Sequence, residues 1–140
     1  NKADLSIGKV EVGADLSTLM AIKEIYFDYG KFEIRTDAAE ALDKIVAVMN
    51  EYPAMVIELG SHTDCRGTKA ANKTLSDNRA KASAEYIKSR ITTPTRISWI
   101  GFGEAKLKVN CPCEGTVVSN CTEEEHAKNR RTEFIVKKVK

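Results

Sequence analysis

The chain has 140 residues, with 22 lysines and arginines against 20 acids and a formal net charge of +2. That length suits one domain, in which roughly 68% of the unfolded chain's surface can be buried. A composition 42% hydrophobic and 30% charged excludes a disordered or low-complexity chain. The near balance of charge argues against a nucleic-acid binder, which needs a clustered basic excess.

No apolar run approaches the roughly 20 residues that span a bilayer; the longest is Met55-Val56-Ile57, with Leu59 after Glu58. The start, Asn1-Lys2-Ala3-Asp4, lacks the basic and apolar stretches of a signal peptide. If the protein is exported, its signal is expected to have been cleaved or to lie upstream. Asn1 carries the further expectation that the chain is a domain of a longer parent.

Residues 1–20 read as an N-terminal extension or linker. Val10–Val12 is a candidate short strand there, and Leu16–Ala21 a helical turn. The domain proper is expected over residues 21–140. Ile22–Tyr29, rich in Ile, Tyr and Phe, predicts a strand that turns at Gly30-Lys31. Asp37–Glu51 predicts a helix whose apolar stripe is Leu42, Ile45, Val46 and Met49. Asp37 and Glu40 read as its capping signature, and Pro53 as its stop.

Met55–Ser61 reads as a buried strand. The loop from His62 to Gly67 follows, then a helix over residues 68–90, about 34 Å long if continuous. Leu75, Ala82, Tyr86 and Ile87 form its predicted apolar side. Arg96–Phe102 is the next strand, with Trp99 and Phe102 in or at the edge of the core. Residues 104–121 read as an irregular loop. Thr122 and Glu125 form a capping box, so a short helix is expected over 123–131, with His126 as a solvated surface residue. Thr132–Val139 is the last strand. Strands alternating with helices predict an α+β fold, a mixed sheet with helices packed on one face.

Cysteines stand at 65, 111, 113 and 121. An even number, clustered in this way, points to disulfides in an oxidising compartment. The rival is a zinc site from Cys111, Cys113, Cys121 and His126, but Cys-Pro-Cys is tighter than the usual zinc spacing. A Cys111–Cys113 bridge would be strained across Pro112. Two pairings stay open: 65–111 with 113–121, and 65–113 with 111–121. Either one ties the loop at Asp64 to the insert.

Chemistry concentrates between Ser61 and Ala80. Asp64 lies just past a strand's C-terminal end, where ligand loops gather. Asn72, Ser76 and Arg79 share one face of the following helix. A carboxylate, an amide and a guanidinium converging there suit a zwitterionic ligand, with Asp64 accepting from an ammonium and Arg79 gripping a carboxylate. From spacing alone the plainer interpretation is an Asp64–Arg79 ion pair fastening loop to helix. Other candidates are weaker. His62-x-Asp64 would need metal ligands that a chain with two histidines barely supplies. Cys65 beside Asp64 has no histidine base placed in sequence. Gly101-Phe102-Gly103 lacks the third glycine and the helix of a phosphate loop. No metal and no cofactor are expected.

At these residues the chain resembles the OmpA-like C-terminal domain family, which binds peptidoglycan. The likeness begins at Tyr26-Phe27-Asp28-Tyr29-Gly30-Lys31. It continues through Gly60-Ser61-His62-Thr63-Asp64-Cys65-Arg66-Gly67 and from Asn72 to Ala80, then covers Gly101-Phe102-Gly103-Glu104. It closes at Asn129-Arg130-Arg131-Thr132-Glu133-Phe134. The resemblance implies a β-α-β-α-β-β fold and a stem peptide held through diaminopimelate. Asp64 would meet the amino group at its free D-centre and Arg79 the carboxylate. Asn72, Thr63, Arg130 and the loop residues Phe27, Asp28, Tyr29 and Gly30 would complete the pocket. It reverses the preference for a bare ion pair.

Gly30 departs from the Asp or Asn of many members, so backbone would replace one side-chain contact. The Cys-rich insert resembles members from the Bacteroidetes group. The implied setting is the periplasm of a Gram-negative bacterium, with outer-membrane attachment through other parts of the parent and homo-oligomers as a compatible state. Two other classes remain: a structural or self-association module with a vestigial pocket, and a peptidoglycan-modifying enzyme. Against the enzyme, neither a zinc triad nor a catalytic acid pair can be singled out.

Overall fold

A computed structural model describes residues 10–22, 25–27, 31–111, 113 and 120–139. The elements are α1 (Leu16–Leu19), α2 (Thr36–Glu51), β1 (Val56–His62), α3 (Lys69–Lys88), β2 (Ile97–Gly103), α4 (Glu123–Asn129) and β3 (Arg131–Lys138). The fold is α+β with a mixed sheet, as expected. The strand order is β2-β1-β3, with β1 parallel to β2 and antiparallel to β3.

β1 runs down the middle, which explains its nearly continuous burial. Ile57 pairs with Ile97 on one side and Val136 on the other, and Leu59 faces Phe134. These side chains share one sheet face by the period-2 rule, and all five are buried in the main core. α3 packs across β2 and β1, and α2 packs beside α3.

α2 buries Ala38, Leu42, Ile45, Val48 and Met49. The stripe is thus the expected one with Ala38 and Val48 added, and Val46 packs on its edge. The cap differs. The helix starts one residue earlier, with Arg35 at the N-cap and no side-chain cap bond. Asp37 instead accepts from Ala38 N–H (2.9 Å) and from Arg35 Nη2 (3.0 Å). A carboxylate in the first turn still favours the helix dipole.

α3 is capped by Thr68, whose Oγ1 accepts from Ala71 N–H (3.0 Å). Its buried face is Asn72, Ser76, Ala80, Ser83, Ala84 and Ile87. Of the expected apolar side only Ile87 is buried; Leu75, Ala82 and Tyr86 are half-exposed. The cause is the close approach of the helix to β2. A Cβ on Gly101 would overlap the backbone of Ser76 and Asp77. Only short side chains fit between such neighbours, and Ser76 Oγ accepts from Gly103 N–H (2.8 Å) across the gap.

The strand expected over Ile22–Tyr29 is not seen where it is described: Ile22 and Ile25–Phe27 belong to no strand. Lys23, Glu24, Asp28 and Tyr29 lie outside the described residues. The free edge of β3 is covered by the preceding segment instead. Gly13 N–H donates to Val136 O (2.8 Å) and Val136 N–H to Ala14 O (2.9 Å). Phe134 N–H donates to Asp15 Oδ1 (2.8 Å). Val10 and Leu16 are buried in the same core.

α4 has the capping box in both directions, Thr122 with Glu125, a motif worth about 1 kcal/mol. His126, expected at the surface, is buried together with Asn129. The two are three residues apart and share the inward face, while Glu123, Glu124 and Lys128 are exposed. The cysteines pair as Cys65–Cys113 and Cys111–Cys121, with Cα–Cα distances of 5.4 and 5.9 Å. They form a small core of their own with Leu107 and Val109. Asn129 seats the insert: its Oδ1 accepts from Lys108 N–H (2.7 Å) and Val109 N–H (2.8 Å), and its Nδ2 donates to Val109 O (3.0 Å).

Candidate functional site

β1 delivers the site. Ser61, His62, Thr63 and Asp64 are all buried at its C-terminal end. Thr63 N–H donates to Gly103 O (2.9 Å) and its Oγ1 to Asp64 O (2.9 Å), so the strand's exit is pinned before the loop begins. Gly67 then turns the chain at φ +100°, a conformation open to glycine, and α3 starts.

Asp64 is held by four donors. Oδ1 accepts from Arg66 N–H (3.0 Å). Oδ2 accepts from Arg66 Nη2 (2.7 Å), Arg66 Nε (3.2 Å) and Arg130 Nη1 (2.9 Å). Burial by itself would raise this carboxyl. The bonds from Arg66 and Arg130 outweigh it and hold the group below the ordinary carboxylate range. Asp64 is therefore a fixed anion. Its partners are these two arginines and not Arg79, the partner that spacing suggested.

Arg79 reaches the other way. Its Nε donates to Lys31 O (2.9 Å), and its guanidinium carbon lies 4.7 Å from the centroid of the Phe27 ring. The residue is partly exposed, and the stacking on Phe27 is of the cation–π kind. The expected loop residues Asp28, Tyr29 and Gly30 lie outside the described residues.

Asn72 binds protein rather than space. Its Nδ2 lies within hydrogen-bond reach of Glu104 Oε1 (2.7 Å), Arg66 O (3.2 Å) and Asp64 O (3.3 Å). It ties the Asp64 loop to α3 and to the turn after β2.

Two residues that the sequence reading passed over complete the cluster. Arg66 donates from Nη1 to Glu123 Oε1 (3.0 Å), and Arg130 from Nη2 to Glu123 Oε2 (2.8 Å). Asp64, Arg66, Glu123 and Arg130 thus close a ring of alternating charge. Arg66 could have been suspected from its place two residues after Asp64, where a side chain folds back readily. Glu123, 57 residues away, left no local signal.

His62 faces the side of the sheet opposite Leu59. Its ring stacks on Phe102, with centroids 4.7 Å apart and planes 13° from parallel, and Lys106 Nζ lies 4.5 Å above the Phe102 ring. Nε2 is 3.3 Å from Glu133 Oε1, which pairs with the ring only when the ring is protonated. Neither ring nitrogen has a hydrogen-bond partner among the described residues. Burial first, then Arg131, lowers its pKa to about 4 against the pull of Glu133, so the ring is neutral near pH 7. Among the described residues no group of three or more His, Cys, Asp or Glu could hold a metal ion.

The chain belongs to the OmpA family, whose profile matches residues 26–130. Outer membrane porin F of Pseudomonas fluorescens is 30% identical over 113 residues, covering 81% of this chain and 32% of that protein. The peptidoglycan-associated lipoprotein of Pseudomonas aeruginosa is 30% identical over 121 residues, covering 86% of this chain and 66% of that one. The chain therefore spans between a third and two thirds of these relatives' length. The crystal structure of the peptidoglycan-associated lipoprotein from Burkholderia pseudomallei superposes with a TM-score of 0.66 at 20% identity. It covers 84% of this chain and 92% of that one, a likeness of fold.

Proposed function

We propose that this domain is a non-catalytic peptidoglycan-binding module of the bacterial periplasm, which tethers a larger envelope protein to the cell wall. The ligand is the diaminopimelate of the stem peptide, read at its free D-centre. Asp64 accepts from the ammonium and Arg79 grips the carboxylate. Arg130 and Thr63 line the same mouth, and Phe27, whose ring stacks under the Arg79 guanidinium, stands beside the carboxylate grip. Asn72 acts as a positioning residue for the Asp64 loop. Attachment to the outer membrane belongs to other parts of the parent.

The observation that carries this reading is Asp64 itself. A buried carboxylate is kept ionised at the end of the central strand, in a family whose relatives include proteins named for association with peptidoglycan. A sacculus pull-down tests it. Asp64→Ala should abolish co-sedimentation. Arg79→Lys should weaken it markedly although the charge is kept, because a lysine cannot present two parallel donors. Equal sedimentation of wild type and both variants would overturn the proposal.

A further inference from the structure

Glu123 stands where a ligand's carboxylate would fit. Each of its oxygens accepts from a different arginine, Oε1 from Arg66 at 3.0 Å and Oε2 from Arg130 at 2.8 Å. A carboxylate shared between two converging guanidiniums has the geometry with which proteins recognise carboxylate ligands. Yet Glu123 is a poor candidate for a structural anchor. Its side chain is 66% exposed, and the capping box of α4 is made by Thr122 and Glu125 without it.

Arg66 is equally suited to move. Its side chain is 50% exposed, while its backbone N–H holds Asp64 Oδ1 independently of the guanidinium. The Arg66 guanidinium can therefore swing while Asp64 keeps its aim. As the site stands, Asp64 Oδ2 already accepts three guanidinium N–H groups, which leaves little room for an incoming ammonium.

We propose that Arg66 and Arg130 form a carboxylate-binding subsite beside Asp64, and that Glu123 occupies it in the free protein as a stand-in that the ligand displaces. On binding, a second carboxylate of the ligand replaces Glu123 between the two arginines. Arg66 turns from Asp64 towards that carboxylate, and the vacated Oδ2 accepts the ligand's ammonium. The charge count agrees: four charges cancel in the free protein, and without Glu123 two guanidiniums face one carboxylate. The ligand class is thus a molecule with an ammonium and at least two carboxylates. The assignment of the ammonium rests on the function proposed above; the two-arginine subsite does not.

The test separates the two. Glutarate, a dicarboxylate with no ammonium, is titrated into the whole chain while the Nε–H resonances of Arg66 and Arg130 are followed by NMR. In Glu123→Gln the glutarate midpoint should fall about 5- to 10-fold below that of wild type. Adding Arg66→Gln should remove the gain. Equal midpoints in wild type and Glu123→Gln would overturn the subsite. So would a gain that survives Arg66→Gln, or shifts reproduced by sodium chloride at equal ionic strength. A glutarate gain in a protein that ignores sacculi would leave the subsite standing and remove the peptidoglycan reading. Sacculus binding that depends on Asp64 but comes without a glutarate gain would do the reverse.

Discussion

Removing the Cys65–Cys113 bridge, as Cys65→Ala with Cys113→Ala, should cost more stability than removing Cys111–Cys121. The first closes a sequence separation of 48 residues and the second one of 10. By chain entropy alone these loops are worth about 4 and about 2.7 kcal/mol at 25 °C. The structure adds a second consequence. The cysteines form a cluster apart from the main core, so the sheet should stay folded when the bridge is cut. The loop carrying Asp64 and Arg66 should loosen, because Cys65 sits between them. Urea unfolding of each double variant, followed by Trp99 fluorescence on β2, gives the two losses. Calorimetry with a diaminopimelate-containing stem peptide gives the affinity. A larger loss for the 111–121 pair would refute the entropic argument. Undiminished affinity after cutting 65–113 would refute the view that the bridge holds the site.

Stability should fall with acidity in a window set by His62. Its folded pKa is about 4 and the unfolded one about 6.5, so between these values the unfolded chain binds the extra proton. Folding is weakened by up to on the order of 3 kcal/mol as pH drops through that window, and the penalty is absent above it. His62→Phe should flatten this part of a stability profile measured by thermal melts from pH 7 to 4; an unchanged slope would contradict the assignment. Gly101→Ala should destabilise by roughly 1–3 kcal/mol, since the added methyl meets the backbone of α3 rather than a movable side chain. An unaltered urea midpoint would show that the helix is freer to shift than its packing implies.

Much of this was legible from local pattern. The stripe of α2, the apolar run of β1 and the Thr122–Glu125 box are short-range signals, and each marked its element within a residue or two. The buried face of α3 was not, because its small and polar residues are dictated by Gly101 on another strand. Hydrophobic periodicity cannot report that kind of closeness. Asp64 was legible as the centre of a candidate site, and the family resemblance placed Arg130 near it, but its ion-pair partners were not legible from spacing. Spacing on α3 suggested Arg79, whereas the loop folds Arg66 back and the far end of the chain brings Arg130. The pairing of the cysteines was undecidable for a similar reason. Both alternatives join the same loop to the same insert, and the choice between them depends on how the insert folds in space.

β1 pairs with one partner nearer in sequence and one farther away, which bears on the order in which the sheet can assemble. Its parallel neighbour β2 follows after one long helix, as in the pair Ile57–Ile97, while its antiparallel neighbour β3 is formed by residues more than 60 positions later. Pairings so distant in sequence form late, since their loops must close before any contact rewards them. Arg130 directly precedes β3, and Glu123 opens the helix before it. A folding intermediate with β1, α3 and β2 in place would therefore present Asp64 without its distant partners, its carboxylate held by Arg66 alone. On the function proposed above, the ligand site is complete once the last strand has docked, so binding of a stem peptide would report on a complete sheet.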